Sequence, residues 1–171
     1  MTLLPPPEMV RPFDGMSSAG VLAAAGGPAA LRWAVKSAGA DAVCGLAIPF
    51  FGRDSYGEYF TPETAFGLVL GVPLLWEHGQ DPQIKSTVLG EVSDAVKLDD
   101  EGLWVEVQMR KHHAYVERIK RLLAAGKLSF SSAALAGLWR KEEGGRVADW
   151  PLAEVSLTQT PANARATVYR P

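Results

Sequence analysis

His78, Ser129 and Glu154 bring an imidazole, a hydroxyl and a carboxyl group to strand-like apolar runs of a 171-residue chain. His78 follows LLWE, Ser129 follows Leu128, and Glu154 stands among Leu152, Val155 and Leu157. An isolated buried carboxylate loses its hydration, so Glu154 in that setting calls for a partner or for water. A serine hydroxyl is a poor nucleophile until a neighbouring base takes its proton, and a neutral histidine does this best when a third group orients its other ring nitrogen. The three residue types match nucleophile, base and orienter. Their order in the chain decides nothing, because such triads occur in several orders on unrelated folds. The stretch LLAAGKLSFSSAAL (122–135) adds Ser131 and Ser132, and Ser131 shares a strand face with Ser129, as a rival nucleophile or a hydrogen-bonding neighbour. Plainer readings also fit: a structural histidine, tolerated serines, and Glu154, Ser156 and Thr158 as the solvent-facing side of an edge strand opposite Val155 and Leu157.

The chain that must position these groups is long enough for one domain with a single sizeable core. Hydrophobic residues make up 47% and charged residues 21%, which excludes a chain disordered throughout. Seventeen Lys and Arg against nineteen Asp and Glu supply no broad cationic surface, so nucleic acid is not expected as a partner. Cys44 is the one cysteine, which excludes an intrachain disulfide and any CxxC site and fits a reducing compartment. The start MTLLPPPEMVRP lacks the basic and unbroken apolar segments of a signal peptide, and the Ala- and Gly-rich run near 21–31 is too short and too interrupted to span a membrane.

Residues 1–40, rich in Pro, Gly, Ala and Ser, read as a flexible arm or propeptide with one short helix near 30–38; residues 41–171 read as the domain proper. Within it, DAVCGLAIPFF (41–51) predicts a strand, and TPETAF (61–66) predicts a short helix capped by Thr61 with Pro62 at its first position. PLLWEHG (73–79), 86–99 and GLWVEVQMR (102–110) predict strands, the last with Leu103, Val105, Val107 and Met109 on one face, and DDEG joins the last two as a hairpin. AYVERIKRLLAAG (114–126) predicts a helix with Tyr115, Val116, Ile119, Leu122 and Leu123 on one side and Gly126 as its stop. Strand-like segments at 128–139 and 150–163, flanking a hairpin-like KEEGGR, complete the chain. The expected fold is mainly β (α+β): a closed or partly open antiparallel β-barrel of about six or seven strands with peripheral helices.

GLAIPFF, TPETAF, PLLWEHG, LGEV, DDEGLWVEVQM, IKRLLAAGKLSFS and LAEVSLTQTPANARA together resemble the HK97-type prohead serine proteases of tailed bacteriophages, from about residue 43 to residue 168. The resemblance implies an assemblin-like distorted barrel and a serine endopeptidase without cofactor or metal. Its expected substrates are scaffold protein or the scaffolding segment of the major capsid protein, and usually itself. The expected place is inside the procapsid in the host cytoplasm, with no membrane or nucleic-acid partner and with a homo-oligomer as a possible assembly. On the motif match His78 in WEHG takes the general base's place, Ser129 in LSF the nucleophile's, and Glu154 in AEVSL that of the acidic third member. Family members commonly read LSIG where this chain has Ser131 and Ser132, a departure that sharpens the rivalry between Ser129 and Ser131. Backbone amides after the nucleophile, with Arg140 or a water it holds, are the expected oxyanion donors. His112 and His113 suggest zinc, but adjacent histidines diverge and are poorly placed to chelate; Cys44 reads as a small buried hydrophobe. The rival of a different class is a non-catalytic capsid-assembly module of the same fold that binds coat or scaffold protein.

Overall fold

The computed structural model describes residues 41–110 and 115–169, less the side chains of Asp94 and Ala95. Residues 1–40, for which an arm with one short helix is expected from the sequence, and His112 and His113 lie outside the described residues.

The strands are β1 (Ala42–Pro49), β2 (Pro73–Trp76), β3 (Gly90–Leu98), β4 (Gly102–Met109), β5 (Ser129–Ala134), β6 (Arg140–Lys141), β7 (Val147–Asp149) and β8 (Leu152–Thr158). A single α-helix among the described residues, α1 (Val116–Ala124), joins β4 to β5. Six strands form one sheet in the order β1-β4-β3-β2-β8-β5, which curls into a nearly closed barrel, while β6 and β7 form a separate hairpin. The mainly-β barrel expected from the sequence is therefore present. One pairing departs from it: β2 and β8 run parallel, with Leu74 opposite Val155 and Trp76 opposite Leu157, whereas the other pairings of the barrel are antiparallel. A parallel pair needs a long crossover, and the whole run from β3 through α1 and β5 to β7 supplies one.

Period-two patterning places the core. Leu103, Val105, Val107 and Met109 of β4 are buried, and they meet Leu74 and Trp76 of β2, Phe130 of β5, and Val155 and Leu157 of β8. The β3–β4 hairpin turns on Asp99, whose Oδ1 accepts from the N–H groups of Glu101 and Gly102. On α1, Val116 and Ile119 are buried against the barrel, and Gly126 at φ 63° ends the helical run in the left-handed conformation that glycine tolerates.

Two segments correct the sequence reading. TPETAF is a turn and not a helix: the Thr61 N–H donates to Thr64 Oγ1, Thr64 Oγ1 donates to the Val147 carbonyl, and Ala65 bridges Asp149. One capped turn carries too little local stability to propagate. The extended path instead buries Phe66 against Phe50 and Phe60. The strand read over 128–139 ends at Ala134, where a bulge against β8 and a turn at 135–138 redirect the chain.

β1 is buried along its whole length because β4 pairs one edge and the C-terminal segment covers the other. Cys44 and Tyr169 exchange both backbone hydrogen bonds, and the Thr167 N–H donates to the Leu46 carbonyl. Between these, a side chain on Gly45 would lie 2.2 Å from the Thr167 carbonyl oxygen. Gly45→Ala is expected to push the C-terminal segment off the strand at a cost of about 1–3 kcal/mol, read as a lowered midpoint in thermal unfolding.

Candidate active site

Glu154 lies on β8, between β2 and β5, so its strand is interior and not the edge that a solvent-facing reading requires. Val155 and Leu157 point into the core, while the opposite face carries Glu154, Ser156 and Thr158, at 7%, 0% and 1% exposure. Buried polar groups need partners, and a turn that follows β2 supplies them.

That turn corrects the placement of His78. β2 stops at Trp76, and Glu77, His78 and Gly79 form one turn with φ of 45°, 55° and 72°. Left-handed backbone at a non-glycine residue costs on the order of 1–3 kcal/mol, so two in succession must be held by their surroundings. The Glu77 carboxylate accepts from Thr158 Oγ1 at 2.6 Å and from the Gln159 N–H at 3.0 Å. The His78 N–H donates to Ser156 Oγ at 3.1 Å. So bent, the turn brings His78 Nδ1 to 2.6 Å from Glu154 Oε1. His78 and Glu154, distant in sequence, are brought into direct contact.

With Nδ1 donating to the carboxylate, the neutral imidazole carries its lone pair on Nε2, the tautomer a general base needs. The hydrogen bond to Glu154 raises the His78 pKa above the usual imidazole value, burial opposes it, and the charges of Glu154 and Glu77 add to the rise. Since the folded-state value exceeds the unfolded one, the stabilisation from this pair is fully present below about pH 6.5 and is lost as pH rises through the raised value.

Ser129 and Ser131 occupy the same face of the sheet as Glu154. β5 pairs antiparallel with β8, setting Ser129 opposite Thr158, Ser131 opposite Ser156 and Ala133 opposite Glu154. Directly opposed residues project to one side with Cβ atoms about 4.5–5.5 Å apart. Phe130, wholly buried between the two serines, turns both outward. Ser131 is 5% exposed, whereas Ser129, at the first position of β5, is partly exposed. Among the described residues neither hydroxyl bonds to the His78 ring.

Arg140 is engaged elsewhere. Its Nε donates to Asp149 Oδ2 at 2.7 Å in the β6–β7 hairpin, beyond the far end of β5 from Ser129. Cys44 is buried on β1 and burial pushes its thiol pKa up, which disfavours the thiolate a nucleophile requires. Among the described residues no cluster of three or more His, Cys, Asp or Glu side chains has a geometry that could hold a metal ion.

Sequence reasoning singled out His78 and Glu154 but missed the groups that hold them, Glu77, Ser156 and Thr158. A signal was present in the period-two stripe Glu154, Ser156, Thr158 within an apolar strand. It looked like a wet face because the turn that covers it comes from about 80 residues upstream.

In comparison with known proteins, a family model described as caudovirus prohead serine protease matches residues 35–170 of this chain. No curated protein and no solved structure matches it.

Proposed function

The chain belongs to the caudovirus prohead serine protease family, and from that premise we propose that it is a capsid-maturation endopeptidase whose Ser129 attacks the scissile carbonyl with His78 as base and Glu154 as orienter. The observation that carries this reading is the 2.6 Å bond between His78 Nδ1 and Glu154 Oε1 on the face that β5 shares with its two outward serines. Ser129 is favoured over Ser131 because the attacking oxygen must meet a substrate, and Ser129 is the more accessible.

In this mechanism Nε2 of His78 takes the Ser129 proton as Oγ bonds to the carbonyl carbon, and returns it to the leaving amine. Glu154 keeps the ring in register and favours the imidazolium formed on the way. Catalytic hydrogen bonds are often long in a free enzyme and tighten once substrate is bound. The proposed substrates are scaffold protein or the scaffolding segment of the major capsid protein, and the chain itself, within the procapsid in the host cytoplasm. The protease unit is proposed to be residues 41–171, with 1–40 as an arm or propeptide.

Coexpression with the cognate capsid and scaffold proteins, followed by mass spectrometry of the fragments, tests the reading. Discrete cleavages in those proteins are expected. Intact proteins in procapsids that contain the chain would favour the non-catalytic assembly module.

The pair also dictates a pH dependence. A base must be unprotonated, so kcat/KM should rise with pH through an apparent pKa above about 6.5. Glu154→Gln removes the largest cause of the raised value, so the rising limb should move to lower pH while the plateau falls by a factor of about 10 to 10⁴. The variant's deficit is then smaller at pH 6 than at pH 8. An unchanged rate and an unmoved limb would remove Glu154 from the triad.

A further inference from the structure

We infer that Ser156 is a positioning residue of this site, joining the carboxylate that orients His78 to the backbone that carries it. The inference rests on the catalytic reading of His78 and Glu154 above. Ser156 is wholly buried, on the interior strand β8, two residues after Glu154. Its Oγ lies 3.1 Å from the His78 backbone nitrogen and 2.5 Å from Glu154 Oε2. A backbone N–H can only donate, so the hydroxyl accepts from His78 and its single proton is left for Glu154.

The consequences are specific. Glu154 uses one oxygen for the imidazole and the other for Ser156, so its carboxyl plane is fixed at both ends. The same hydroxyl satisfies the N–H of a residue in left-handed backbone. His78 is thus held twice by β8, through its ring by Glu154 and through its main chain by Ser156, and the two holds meet in one oxygen atom. Glu77, bonded to Thr158 and Gln159, steadies the preceding residue of the turn but does not reach the carboxylate. Ser156 is therefore the member of the stripe whose loss acts on orientation and not on the turn alone.

Ser156→Ala deletes one oxygen at a fully buried site and leaves the ladder of β8 intact. With base and nucleophile loosened by a fraction of an ångström, kcat should fall about 10- to 100-fold at little changed KM. The His78 ring should spend less time on Glu154, so its titration, followed by NMR and assigned with the His78→Ala variant, should shift down toward the ordinary imidazole value.

A double-mutant cycle with Glu154→Gln separates positioning from general weakening of the fold. If Ser156 acts through Glu154, Ser156→Ala should cost less than about threefold further in the Glu154→Gln background. Circular dichroism and thermal unfolding of each variant report folding independently. Ser156→Ala with wild-type kcat, with an unmoved or raised His78 titration, or with the same factor in both backgrounds would overturn the inference. Should His78→Ala itself retain full activity, the catalytic reading falls and the inference falls with it; a dead His78→Ala beside a fully active Ser156→Ala removes the inference alone.

Discussion

Ser129→Ala should reduce cleavage of the capsid and scaffold proteins by about 10⁴- to 10⁶-fold, leaving the binding and electrostatic contributions that survive loss of a nucleophile. The change deletes one partly exposed oxygen at the start of β5. Phe130 still enters the core, and the pairing of β5 with β8 is made by backbone groups that the substitution does not touch. Stability should therefore stay within about 0.5 kcal/mol of wild type, the range usual for changes away from packed or bonded groups. Ser131→Ala is the matched control. Ser131 faces Ser156 across the ladder and is nearly enclosed, so its loss should slow the reaction modestly. A reversed pattern, with Ser129→Ala active and Ser131→Ala dead, would reassign the nucleophile.

His78→Ala should be comparably severe, about 10⁴- to 10⁶-fold, because members of a triad act as a unit and removing either nucleophile or base removes most of what the unit does. This substitution also reaches the fold. Glu154 would keep its bond to Ser156 but lose the imidazole, and a buried acceptor stripped of a partner costs about 1–3 kcal/mol. The expected record is a chain that still unfolds cooperatively, at a lower midpoint, with its processing of capsid protein gone. Wild-type processing by His78→Ala would exclude this imidazole as the base.

The parts of the fold visible in the sequence were those in which local pattern and tertiary environment agree. GLWVEVQM alternates because one side of β4 is core, DDEG closes a hairpin between neighbours in the chain, and VERIKRLLA carries an apolar stripe that docks on the barrel. TPETAF misled because Thr, Pro and Glu suit a helix start, while the burial of Phe66 and the bridge from Ala65 to Asp149 decide for an extended path. The parallel β2–β8 pairing had no local signature, since neither strand's alternation depends on its neighbour's direction. The same pairing assembles the site: it lays the 77–79 turn over Glu154, Ser156 and Thr158 and makes an apparently wet stripe a buried one. Residue chemistry pointed to His78 and Glu154, but their hydrogen bond follows from that long-range register alone.

Labelling by a serine-directed fluorophosphonate, mapped by peptide mass spectrometry, reaches the central claim most directly, because the reagent reports which hydroxyl is activated whatever the natural substrate. The expected adduct sits on Ser129 in the wild-type chain, forms more slowly in Glu154→Gln and is absent from His78→Ala. An adduct on a different residue, or none from protein that is cutting scaffold in the same sample, would contradict a Ser129 hydroxyl activated by the His78–Glu154 pair.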